Sequence, residues 1–206
     1  MRNLPAGRMA RLWLRARLEV AGRAVKVLEQ KIQALNREQR RARHHAEETE
    51  RVWNDALRQA DLWFLRATVI GGSLQIGLAQ SQVEGPAEAH IRWRSLMGVT
   101  YPAEVSLETP GTGAVGSVAR SAALTFAAQA YARAVKLALD RAAATRALEL
   151  LESELRLTRR RLRGLDNRWI PLLRETLHDV ELRLAEEERE EMVRSKWIAE
   201  RAERRT

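Results

Sequence analysis

Cysteine is absent from the 206 residues, which rules out disulfides and thiolate metal sites. Proline occurs five times and glycine eleven times, too sparsely for a linker-rich or low-complexity chain. Long apolar runs are missing as well. The longest, Ala67 to Ala79, is too short to span a bilayer and contains Gly71, Gly72 and Gln75. The N-terminal "MRNLPAGRMARLWLRARLEV" never runs apolar for long enough to read as a signal peptide. A cytoplasmic setting is expected, with any contact to a membrane indirect or superficial.

Catalytic constellations are equally scarce. The four histidines are His44, His45, His90 and His178. His44 and His45 are neighbours on a polar helix and face different ways, and no zinc-ligand spacing occurs. "GTGAVG", Gly111 to Gly116, superficially resembles a phosphate loop but lacks its GK[ST] ending and a buried strand before it. No serine stands in a nucleophile elbow. Neighbouring carboxylates gather in Glu186–Glu191, "EEEREE", where solvation accounts for them. The chain is expected to do no covalent chemistry of its own and to need no cofactor or metal.

What the sequence has in quantity is charge and heptads. Charged residues make up 31 % and the formal net charge is +9. Such a balance suits a nucleic acid, an anionic surface, an acidic protein partner or a long solvated helix. In the first third, Leu14, Leu18, Ala21, Val25, Leu28, Ile32, Leu35, Ala42, Ala46, Trp53, Ala56, Ala60 and Trp63 recur in steps of four and three. Gln39 and Thr49 fill the two polar places. This is the heptad repeat of a left-handed coiled coil. A helix of about fifty residues is on the order of 75 Å long, too long for a compact domain of this mass.

The last third repeats the pattern. Leu148, Leu151, Leu155, Thr158, Leu162, Leu165, Trp169 and Leu172 read as one seam, continued past Pro171 by Leu173, Leu177, Val180 and Leu184. Pro171 predicts a kink, because it lacks an N–H and crowds the preceding turn. Five arginines fall in the eight residues 156–163. Arg156, Arg159, Arg160, Arg161, Arg163 and Arg168 encircle the helix rather than lining one face. They either pair with acids of the other arm, such as Glu38, Glu47, Glu48 and Glu50, or meet an acidic partner surface.

Two similar stripes on one chain are satisfied most economically by folding antiparallel against each other. The expected fold is all-α and elongated: a long antiparallel two-helix coiled coil with a small central head. The expected boundaries are an N-terminal arm over 1–69, a head over 70–117 and a C-terminal helix and arm over 118–206. The stretch 70–85 loosens through its glycines. Ile91, Trp93, Val99, Tyr101, Val105 and Leu107 alternate with polar residues and predict one short β-hairpin. "TPGTGAVGS", residues 109–117, reads as a flexible loop.

These residues point to a family. The chain resembles the D subunit of the V-type and A-type rotary ATPases, the central rotor shaft. Thr158, Arg159, Arg160, Arg161, Leu162 and Leu165 match the family's T-R-R-R-V-N-A-L-E run, and Ile170–Pro171 its I-P. Glu188, Arg189, Glu190, Arg194, Lys196 and Ile198 match its E-R-E and R-x-K-x-I. Leu14, Arg15, Arg17, Leu18, Ala21, Leu28 and Lys31 hold its N-terminal pattern, and "MGVTYP", Met97 to Pro102, its M-G-V-x-x-P. Arg163 and Gly164 depart from the usual Asn-Ala.

The resemblance implies a non-catalytic shaft inside a ring of alternating catalytic A and B subunits. It implies further partners in the F subunit and in the collar subunit on the membrane rotor ring, and a place peripheral to the membrane. Partner contacts are expected from Arg15, Arg17, Lys31, Arg159, Arg160, Arg161, Glu188, Arg189, Arg194 and Lys196, and structural roles from Gly98, Pro102 and Pro171. Two other readings of the residues are a coiled-coil adaptor without an ATPase and a basic helical protein that binds nucleic acid.

Overall fold

The structure, a computed structural model, describes residues 5, 7–80, 86–108 and 121–203. Helix α1 spans Gly7–Gln80. Strands β1 (Glu88–Leu96) and β2 (Val99–Glu108) follow as an antiparallel pair. Helix α2 covers Ala122–Gly164, a single π turn covers Leu165–Trp169, and helix α3 covers Ile170–Glu203. The chain is thus long helices with one two-stranded hairpin between them. The segment 109–117, expected as a loop, lies outside the described residues.

The heptads explain α1. Every seam position from Leu14 to Trp63, with Gln39 and Thr49 among them, is buried or half-buried. The glycines around position 70 do not end the helix. It continues to Gln80, with one break at Gly72, whose φ of 67° falls in the left-handed region that glycine enters without a Cβ penalty. Helix hydrogen bonding on both sides outweighs the weak propensity of three glycines there.

The chain packs as two compact units. One unit joins Met1–Ile32 to Arg156–Thr206. Its core sets Ala10, Leu14 and Ala21 against Ile170, Leu173, Val180 and Leu184, with Trp13, Leu18, Val25 and Leu177 packed around them. The helices run antiparallel: Arg8 meets Glu188 at 3.3 Å and Arg15 meets Glu181 at 2.7 Å, so seven residues forward on α1 are seven back on α3.

In this unit the seam differs from the expected one. Trp169 and Leu172 are 36 % and 42 % exposed, while Ile170 and Leu173 are buried. The cause is the π turn. Ile170 N–H bonds to Leu165 O, five residues back, which inserts one extra residue into the helix. The seam therefore steps by five from Leu165 to Ile170 instead of by four to Trp169. Pro171 then falls just past the π turn, where it has no N–H to continue the hydrogen-bond ladder. The proline stands beside a π turn within a continuous helical run.

The other unit is Gln33–Leu155. Here α1 and α2 also run antiparallel, tied by Arg43–Glu152 at 2.7 Å, Arg141–Glu50 at 3.1 Å and Tyr131–Asp61 at 2.7 Å. Leu35 and Leu151 are fully buried, but most buried α2 positions are alanines: Ala123, Ala127, Ala134, Ala144 and Ala147. Small residues add little apolar area each, so aromatic pairs reinforce the far end. Trp63 and Phe126 have ring centroids 4.8 Å apart, and Phe64 meets Tyr131 edge-on at 5.9 Å.

The hairpin turns in two residues, Met97 and Gly98, with φ of 50° and 79°. Both positive φ values fit the type I′ geometry that matches strand twist, and Gly98 supplies the easier of the two. Arg92 pairs with Glu104 but Trp93 with Pro102, leaving Ala103 as a bulge. Pro102 has no N–H to give to the ladder, so the register slips where it stands. Val99, Tyr101, Pro102 and Val105 of β2 are buried, whereas β1 is exposed from Glu88 to Ser95.

Candidate functional site

Among the described residues no three His, Asp or Glu side chains gather as a metal-binding group. Likewise no helix among them is long and apolar enough to cross a membrane.

The expected contact residues fall into three sets. Arg15 and Glu188 are consumed by the antiparallel pair, bonded to Glu181 and Arg8. Arg17 lies over the Trp13 ring at 4.7 Å, so it caps an aromatic at the edge of the core. Lys31 is half-buried, and both it and Arg159 have partners within the chain.

The second set is free. Arg160 and Arg161 are exposed and, among the described residues, form no ion pair; the same holds for Arg163 and Arg168. Of the acids expected to neutralise this cluster, Glu38, Glu48 and Glu50 have other partners, and Glu47 is exposed with none among the described residues. Glu38 accepts from Tyr101 and neighbours Arg41, Glu48 neighbours His44, and Glu50 holds Arg141.

The third set closes α3. Beyond the Arg8–Glu188 pair the helix continues for fifteen residues, from Glu188 to Glu203. Arg189, Arg194 and Lys196 are exposed there, and so are Met192, Val193, Trp197 and Ile198, the last four at 57 % or more. Arg201 covers the Trp197 ring at 4.7 Å. The helix end thus presents apolar side chains among charges of both signs, Glu190, Glu191 and Glu200 beside the basic residues, with its own residues as the sole cover among those described.

The hairpin is anchored by a side chain that sequence reasoning overlooked. The Tyr101 hydroxyl donates to Glu38 Oε1 at 2.9 Å, and Tyr101 is 5 % exposed. Burial, the bond to Glu38 and the Glu38 charge together push its pKa above 10.0, against a smaller lowering by Arg94 and Arg41. Tyr131 is pushed up too, first by its hydrogen bond to Asp61. A groove of about 700 Å³ runs beside Tyr101, between β2 and the two helices, lined by Glu38, His45, Val52, Arg94, Leu137 and Asp140 among others. Gly98 holds the turn and Pro102 the bulge, while Pro171 follows the π turn.

Sequence reasoning also missed the arginine–tryptophan stacks, although their signal was present. Trp13–Arg17 and Trp197–Arg201 are four apart and Trp63–Arg66 three apart, the spacings at which helix side chains meet. Arg141 over Trp53 joins two helices and had no local signal.

The sequence model of the ATP synthase D-subunit family matches residues 11–200. An A-type ATP synthase D subunit from Methanopyrus kandleri is 30 % identical over 200 residues, covering 96 % of this chain and 86 % of the relative. A V-type proton ATPase D subunit from Suberites domuncula is 25 % identical, covering 97 % and 80 %. The A-type D subunit of Thermococcus kodakarensis is 28 % identical, covering 95 % and 93 %.

Proposed function

Because the chain belongs to the ATP synthase D-subunit family, we propose that it is the non-catalytic central shaft of an A/V-type rotary ATPase. On this reading it transmits torque between nucleotide chemistry in a ring of catalytic A and B subunits and ion movement in the membrane sector. The F subunit and the collar subunit of the membrane rotor are its other partners, and it sits on the cytoplasmic side, peripheral to the membrane.

The observation that carries the proposal is the end of α3. The antiparallel pair of α1 and α3 is pinned by Arg8–Glu188 and Arg15–Glu181 over the apolar cluster of Leu14 and Leu173. A single helix twists easily, whereas two helices with interlocked side chains resist it, since twisting must unseat each side chain from its hole. Past this pair, α3 offers Val193, Trp197 and Ile198 with Arg189, Arg194 and Lys196 around them. Apolar side chains give such a tip a fitted seat, and ion pairs at its exposed rim are worth only about 0–1 kcal/mol each. Weak rim contacts let the tip slip from one ring position to the next without becoming trapped.

The test removes residues 189–203 from the chain within the assembled complex. The expected result is retained assembly through the F and collar subunits, with ATP hydrolysis no longer driving ion transport. Ion transport at the unaltered rate per ATP would contradict the proposal.

A further inference from the structure

Trp169 is expelled from the core by the π turn. The extra residue swings Ile170 and Leu173 inward, to 8 % and 0 % exposure, and leaves Trp169 and Leu172 at 36 % and 42 %. An α-helical step of four at that point keeps the large indole on the seam, so its exposure forgoes substantial apolar burial. Such π turns often mark sites where a helix has been adapted to a task.

The exposed face is continuous. From Leu157, 44 % exposed, steps of four and three lead to Arg161 and Gly164. The step of five across the π turn then reaches Trp169, and three more reach Leu172. Arg160 and Arg168 flank this line. A Cβ built at Gly164 meets nothing within 4 Å, so the backbone lies open at that position.

The face is bare in two respects. Four of the six tryptophans have an arginine over the ring, at Trp13, Trp53, Trp63 and Trp197. Among the described residues Trp169 has none, although Arg168 precedes it. Arg160, Arg161 and Arg168 form no ion pair among the described residues, while Arg8 and Arg15 of the same unit find Glu188 and Glu181. Between Arg156 and Arg174 the chain has seven arginines and one carboxylate, Asp166.

We infer that this face is a docking hot spot for an acidic protein surface: an apolar notch that takes Trp169 and Leu172, with a rim of carboxylates that meets Arg160, Arg161 and Arg168. The inference rests on the shaft reading, under which the notch belongs to the catalytic ring. Tryptophan and arginine are the residues that most often dominate binding at such spots, and the counter-charge missing among the described residues is what a carboxylate rim supplies.

The experiment titrates the full chain against the reconstituted catalytic ring. Trp169→Ala and Arg168→Glu are compared with the unaltered chain, over a range of salt concentrations, with thermal unfolding of each chain measured alongside. Each variant is expected to bind about tenfold or more weakly; Arg168→Glu, at an exposed position, is expected to leave the unfolding midpoint unchanged, and Trp169→Ala, at a residue 36 % exposed, to stay folded with a lower midpoint. Salt is expected to weaken the unaltered chain more steeply than Arg168→Glu. Binding by the unaltered chain with less than about a twofold loss in both variants overturns this inference alone. No binding by the unaltered chain overturns the shaft reading, and this inference with it. Duplex DNA bound as tightly as the ring, and lost in Trp169→Ala, overturns the acidic protein as occupant.

Discussion

Leu172 and Leu173 are adjacent in the chain, yet Leu173 is fully buried against the cluster of Leu14 and Ala10 while Leu172 is 42 % exposed. The π turn just before them decides which of the two enters the seam. Leu173→Ala is therefore expected to destabilise the chain by about 2–5 kcal/mol, the range for a buried leucine that leaves a cavity. Leu172→Ala is expected to cost less than about 1 kcal/mol. Urea unfolding followed by circular dichroism measures both. Equal losses, or a larger loss at Leu172, would show that the helix takes the four-residue step and that the π turn is absent.

Arg15 and Glu181 lie 166 positions apart in sequence and 2.7 Å apart in space. Since both are part-exposed, the bond itself is worth roughly 0.2–1 kcal/mol; Arg15→Glu should lower stability by that and a like-charge repulsion of similar size, with Glu181→Arg restoring it. The geometric consequence is larger. The native chain has no cysteine, so Arg15→Cys with Glu181→Cys provides a unique thiol pair for a short bis-maleimide. Cross-linked monomer is expected on a denaturing gel at all protein concentrations. Dimer alone, rising with concentration, would mean that the arms pair between molecules.

Tyr101 gives the hairpin a pH limit. Its pKa is raised in the folded chain, chiefly by burial and then by the bond to Glu38, so the protonated phenol is favoured by folding. The associated stability is complete below the ordinary tyrosine pKa of 10.0 and is lost as pH climbs through the raised folded value. Stability should accordingly fall as pH rises above about 10. Tyr101→Phe should remove the Tyr101 share of that fall and cost about 1 kcal/mol at neutral pH through the lost hydrogen bond. Tyr131, bonded to Asp61, adds a fall of the same sign, so Tyr131→Phe is the matching control. An unchanged alkaline profile in the double variant would contradict both assignments.

Most of α1 was legible from its heptads, because a period of seven over so many turns has no competing explanation in a globule. The hairpin was legible from alternation around Met97–Gly98, although alternation did not tell which strand is buried: Ile91 and Trp93 of β1 stand 48 % and 55 % exposed while β2 packs inward. The seam near Pro171 was legible in part: Leu173, Leu177, Val180 and Leu184 pack as read, whereas Trp169 and Leu172 stay outside. Trp169 with Leu172, and Ile170 with Leu173, are both apolar pairs at helical spacing, and only the hydrogen-bond frame of the π turn selects between them. The glycines of 71–77 misled for a related reason: local propensity predicts a loosened chain, whereas the helix persists to Gln80 with one break at Gly72. Of the contact surface, the arginines were visible as residues. That Arg160, Arg161 and Arg168 form no ion pair among the described residues is a property of packing.

A shaft must turn. With Met97→Cys, at the exposed tip of the hairpin, a gold bead can be attached to the chain in a complex whose catalytic ring is fixed to glass. Addition of ATP should set the bead in sustained rotation in a single direction, ceasing when ATP is exhausted. Steady ATP hydrolysis by the assembled ring beneath a bead that only jitters about a fixed angle would contradict the shaft role.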